Sequence, residues 1–209
     1  MNRVVAVLDL GTGDLSEISA ALEAAGARVA LTNQRSEIMS ADAFVIYGTG
    51  DFPSFMSALD KSQAAEIVDS RLAGGKSVLA IGAGLHAMFE KSTDKNEASQ
   101  GLAQWPGEIA KLESTSLPGS KKLEVLVAEG SRLFQGIENA HFFFDQTEAV
   151  LQFTLQVDTP FVAPVVSYLN QDTSFIAAVE NGPLTGVGFY PERSGEAGIA
   201  LLRNWLGTL

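Results

Sequence analysis

The chain carries two histidines, His86 and His141, and no cysteine. That inventory excludes a thiolate nucleophile, a zinc–thiolate centre, an iron–sulfur cluster and a disulfide framework. Two histidines also make a dedicated multi-histidine metal site improbable, and no metal or cofactor is expected. His86 follows a third glycine-rich turn, Gly82-Ala83-Gly84. It reads either as a ligand contact or acid–base group or as an ordinary helix residue with a satisfied ring. His141 precedes Phe142-Phe143-Phe144 and is expected to pack at the core edge. Glu192, after Tyr190-Pro191, reads as a solvated turn carboxylate on residue type alone. Gly11-Thr12-Gly13 would need a glycine at position 16 to be a dinucleotide fingerprint, and Ser16 stands there. Gly75-Lys76-Ser77 resembles the end of a phosphate loop, but Ser70 replaces its first glycine and the segment enters a strand. Both read as tight turns.

The elements that must position these residues are legible as a pattern. Val4 to Leu10, Ala43 to Tyr47 and Ser77 to Ile81 are continuous apolar runs, as expected for strands buried on both faces. Each ends in a glycine-rich turn: Gly11–Asp14, Gly48–Pro53 and Gly82–His86. Helices are expected from Asp14, with Glu17 completing a capping box, over Pro53 to Leu59, over Gln63 to Leu72, and from Leu85 to Phe89. Val29 to Leu31 reads as a short strand and Glu37 to Met39 as a short helix. This alternation predicts a parallel sheet with helices on both faces, whose site lies at the carboxyl ends of its strands. Lys91 to Gln100 reads as a surface loop. Leu151 to Val157 and Phe175 to Val179 alternate with period 2 and predict added antiparallel strands. A last helix follows Ser194 as its cap, with Ile199, Leu202 and Leu206 as its buried stripe.

Composition narrows the class. The chain has 209 residues, enough for one domain with a real core. Without a linker or internal repeat, a single domain over residues 1–209 is expected. Apolar residues make up 46% and charged residues 19%, which excludes a disordered chain. The net charge of −11 argues against nucleic-acid and anionic-membrane partners, which need a cationic face. No apolar run reaches transmembrane length and no signal-peptide pattern opens the chain, so a soluble cytoplasmic protein is expected.

Taken together, the motifs resemble the class I glutamine amidotransferases, and specifically the glutaminase subunit of imidazole glycerol phosphate synthase. The resemblance runs over nearly the whole chain. It rests on Val7 to Leu15, on Gly48-Thr49-Gly50-Asp51-Phe52, on Trp105-Pro106-Gly107 and on Leu133-Phe134-Gln135-Gly136-Ile137. It continues through Ala177 to Gly182, Phe189 to Gly195 and Leu201 to Leu206. It implies an α/β fold of three αβα layers, flavodoxin-like, with a mostly parallel sheet and added antiparallel strands. It also implies a Cys-His-Glu triad that releases ammonia from glutamine.

Here the triad is degenerate. The family's Gly-Ile-Cys-x-Gly turn reads Ala80-Ile81-Gly82-Ala83-Gly84, so Gly82 stands at the nucleophile position. Its Phe-His-Pro-Glu motif reads Phe189-Tyr190-Pro191-Glu192, so Tyr190 stands at the base position and only Glu192 remains. By the same resemblance Gly48, Thr49, Gly50, Ala83 and His86 fall at ligand-binding positions, His86 where a glutamine-contacting Gln is usual. The family's Pro-His-Met-Gly-Trp-Asn and Phe-Tyr-Phe-Val-His-Ser-Tyr segments read Pro118 to Leu123 and Phe142 to Glu148. Glycine has no group to attack an amide, and a tyrosine of pKa about 10 is a poor base at neutral pH. Three readings follow: an inactive amidotransferase-like protein that binds a small molecule in the crevice or a protein partner; a subunit that structures a (β/α)8 cyclase without glutaminase activity; and a hydrolase of another class in the same crevice. No Gly-x-Ser-x-Gly elbow supports the third.

Overall fold

In the computed structural model, residues 3–11, 13–93, 99–112, 121–151, 153, 163–169 and 174–209 are described. The first half alternates as its pattern predicts: β1 (Val4–Leu8), α1 (Ser16–Ala24), β2 (Arg28–Thr32), α2 (Arg35–Ser40), β3 (Ala43–Gly48), α3 (Phe52–Leu59), α4 (Ala64–Ala73), β4 (Val78–Gly82) and α5 (Ala83–Ala87). Then come β5 (Lys91–Ser92), β6 (Glu108–Lys111), β7 (Lys121–Leu126), β8 (His141–Phe144), β9 (Glu148–Val150), β10 (Val165–Leu169), β11 (Ile176–Asn181), β12 (Leu184–Val187), a 3-10 turn (Pro191–Arg193) and α6 (Glu196–Leu206).

Nine strands form one sheet in the order β2-β1-β3-β4-β12-β11-β10-β7-β8. Neighbours are parallel from β2 to β12 and antiparallel from β12 to β8. A second sheet, β5-β6-β9, lies apart from it in the hydrogen-bond network. Side chains of a strand point alternately to opposite faces. Val5 and Val7 accordingly join Ile18, Leu22, Leu202 and Trp205 in one buried cluster. Ala6 and Leu8 join Ile38, Phe55, Ile67 and Leu85 in another. Both faces are covered by helices, which is why the central strands read as unbroken apolar runs.

Arg71 on α4 is fully buried, and the charge of Asp42 partly offsets the cost of burying its guanidinium. Its guanidinium donates to the carbonyls of Ile38, Ala41, Asp42 and Ser77 at 2.7–3.2 Å. It thereby ties α4 to the end of α2 and to the entries of β3 and β4.

Several local expectations need correction. The capping box at Asp14 does not form: Asp14 accepts from the Ser16 amide, while Glu17 turns to Arg193. Helix α5 begins at Ala83, two residues earlier than read, because it springs directly from the Gly82 turn. Lys91 to Gln100 is not wholly loop, since Lys91–Ser92 pair with β6 and Lys91 bridges Gln100. His141 is exposed on β8 rather than packed at the core edge. Ser194 does not cap α6; Gly195 does, with φ +66, and the Ser194 hydroxyl is committed to Tyr190. Leu151 and Phe153 are not in a strand, and the rest of the expected strand at 152 and 154–157 lies outside the described residues.

A candidate active-site crevice

Strand β4 ends at Gly82, which has φ +62 and ψ −123, and α5 starts at the next residue. That backbone region penalises any residue with a Cβ. The sharp strand-to-helix turn implied by the family resemblance is therefore present, occupied by the one residue that holds it without strain. Gly84 is required by packing, because a Cβ there would strike the backbone oxygen of Ile46. Opposite Gly82 in the parallel register lies Gly48, the last residue of β3. A Cβ on Gly48 would crowd the Phe55 ring at 2.5 Å and Ala83 Cβ at 2.9 Å.

The space beyond Gly82 is filled. A Cβ on Gly82 would lie 2.8 Å from Cε1 of Tyr190 and 3.0 Å from its hydroxyl, and against the Gly48 carbonyl oxygen. Tyr190 is 4% exposed. Its backbone is pinned on both sides: its amide donates to Phe143 O at 2.9 Å, and its carbonyl accepts from Ser194 Oγ at 2.7 Å. Ser194 Oγ in turn accepts from the Phe143 amide at 3.0 Å. The Tyr190 ring meets the edge of Tyr47 at 6.1 Å between centroids, and the Arg193 guanidinium lies 5.6 Å over it. Its hydroxyl points at Gly48 O over 3.5 Å, a long contact.

Glu192 is paired with Tyr47 across the crevice. Tyr47 Oη donates to Glu192 Oε1 at 2.9 Å, while Oε2 is buried with no partner among the described residues. Burial pushes the Glu192 carboxyl above its ordinary value, partly offset by the Tyr47 hydroxyl. Burial, then the charges of Glu192 and Asp145, push the Tyr190 phenol up to about 12. Tyr47 moves the same way through burial and Glu192. Both tyrosines therefore stay protonated at neutral pH, and neither is a base there.

His86 sits one turn into α5, 3% exposed. Burial brings its ring down to about 4, so it is neutral at physiological pH. Thr49 and Gly50 are exposed at the mouth, and Ala83 is buried. The fold thus gathers Gly48, Gly82, Ala83 and Tyr190 into one contact set, with His86 on the same short helix and Thr49 and Gly50 outside it.

Two residues of the crevice carry no signal in residue type or spacing. Tyr47 is one. The other is Glu148 on β9, 3% exposed, whose Oε2 accepts from the Phe52 amide at the start of α3 at 2.6 Å. The open space here is a cleft of about 40 Å³ beside the filled position, lined by Asp9, Gly11, Tyr47, Gly48 and Thr49 among others. It has room for a few waters.

Relatives with this architecture are numerous. The chain is 40% identical over 209 residues to the imidazole glycerol phosphate synthase subunit HisH of Leifsonia xyli subsp. xyli, covering 100% of both chains. It is 38% identical to the same subunit of Streptomyces avermitilis, over 99% of this chain and 97% of that one. The chain belongs to the HisH family of class I glutamine amidotransferases. No family model matches it. A crystal structure of a glutamine amidotransferase superposes with a TM-score of 0.72 at 15% identity, covering 98% of this chain and 99% of that one. The structure of PurLQS from Thermotoga maritima gives 0.72 at 15%, covering 100% and 99%. At those identities the likeness is one of fold, and it agrees with the α/β architecture read from the sequence. No helix is long and apolar enough to cross a membrane among the described residues.

Proposed function

We propose that this chain is a glutaminase-silent member of the HisH family, acting as a non-catalytic subunit that shapes a (β/α)8 cyclase-type partner in histidine biosynthesis. The observation that supports it most is the Tyr190 ring, packed where a side chain at position 82 would have to stand. The site is filled as well as stripped. A glycine offers no nucleophile, and loss of a nucleophile or its base costs on the order of 10⁶ in kcat in enzymes that use them as a unit. Donors to an oxyanion could leave about 10³–10⁴ over water, yet of the two polar groups facing Gly82 the Tyr190 hydroxyl is aimed at the Gly48 carbonyl, and that carbonyl is an acceptor. Such an oxygen repels the negative charge that develops in amide hydrolysis.

Relatives at 36–40% identity are named as subunits of a synthase, which supports a partner of the same kind here. The partner would then work on free ammonia. The test is glutamate release by purified chain, alone and mixed with the cyclase-type subunit of the same genome. Release at background in both is expected; turnover near ~1 s⁻¹ or above contradicts the reading.

A further inference from the structure

Two loops border the crevice: the segment after β3, Gly48 to Phe52, and the turn from Tyr190 to Ser194. Three ties hold them in place. The Tyr190 ring seats between Gly82, Tyr47 and Arg193, with its hydroxyl toward Gly48 O. Tyr47 on β3 donates to Glu192 on the 3-10 turn at 2.9 Å. Glu148 reaches from the second sheet to the Phe52 amide at 2.6 Å. All three partners are supplied by this chain, and two of the ties fasten groups that are 4% exposed or less.

From these contacts we infer that the crevice is an internal lock: the chain presents one preset conformation to its partner, and glutamine neither binds it nor alters that association. This rests on the reading of the chain as a non-catalytic subunit. A ligand shifts a conformational equilibrium only through different affinities for its states. A crevice whose reactive end is occupied by Tyr190, and whose α3 entry is already bonded to Glu148, offers glutamine no state to prefer. Entry would require the Tyr190 ring to leave its seat while Phe143 and Ser194 hold its backbone. Coupling between glutamine and partner binding is reciprocal, so absence of one implies absence of the other.

The experiment uses the full chain with millimolar glutamine, and an active HisH relative as control. In the first arm, the melting temperature and the titration heat of the isolated chain are recorded with and without glutamine. No change is expected, against a clear response in the control. Saturable heat or a stabilising shift in this chain overturns the lock, whether or not it has a partner. In the second arm, the Kd for the cyclase-type subunit is measured both ways. A change within ~2-fold is expected, and one of ~5-fold or more overturns the inference. If no complex forms, the subunit reading fails and the first arm alone decides the lock. The Tyr190→Ala variant separates filling from mere absence of the triad. It is expected to recover much of its lost melting temperature with phenol, as a buried apolar cavity does with a fitting aromatic; no recovery beyond wild type contradicts the seated ring.

Discussion

At Gly82 and Tyr190 a residue without a side chain and a buried ring share one space. The turn at Gly82 keeps its positive φ, and the room that a nucleophile needs is taken by a phenol ring. Restoring the sulfur alone therefore works against both backbone and packing. Gly82→Cys is expected to leave glutamate release at background and to destabilise the fold by ~1–3 kcal/mol in denaturant melts. Glu192 makes the complementary point. A carboxylate that orients a base has no such task beside Tyr190, and here it anchors Tyr47. Tyr47→Phe leaves a buried carboxylate without its donor, and a loss of ~1–3 kcal/mol is expected at neutral pH. Glu192→Gln keeps the acceptor and removes a charge that burial disfavours, so it is expected to be neutral or stabilising. If Glu192→Gln costs as much as Tyr47→Phe, the anchor reading is wrong.

The elements of the first half were readable because β1, β3 and β4 are buried on both faces and each leads into a turn that holds glycine. An unbroken apolar run bounded by Gly11, Gly48 or Gly82 leaves little choice of structure. The second half was harder. Edge and antiparallel strands such as β7, with burial only at Val125, carry a weak pattern, and β9 has three residues. The site divided in the same way. Gly82, Tyr190 and Glu192 stood out because a family pattern marks those positions. Tyr47 and Glu148 did not, since their partners lie 145 and 96 residues away. One close element contact is independent of the chemistry: Gly198 of α6 rests on the Pro191 backbone, with no space for a Cβ. Gly198→Ala must push α6 off the turn that carries Glu192, and a loss of ~1–3 kcal/mol is expected; wild-type stability would show that this contact yields freely.

Across the whole molecule, buried titratable groups give stability a pH signature. The His86 ring lies at about 4 against 6.5 for the free side chain. Between those values the unfolded chain takes up the proton first, so stability falls as pH drops through that window. Glu192 acts oppositely: its carboxyl is raised, so stability falls as pH rises through the ordinary carboxyl value toward the raised one. In urea melts at pH about 7 and about 5, His86→Gln is expected to lose less stability than wild type, and equal losses would contradict a buried neutral ring. The filling of the crevice itself is tested most directly by a double-mutant cycle on unfolding free energy, using Gly82→Ala, Tyr190→Ala and the pair. If the ring occupies the space at position 82, truncating Tyr190 must relieve part of the cost of the new Cβ. A favourable coupling of ~0.5–3 kcal/mol is the expected result; additivity within ~0.3 kcal/mol would mean that Tyr190 does not fill the nucleophile's place.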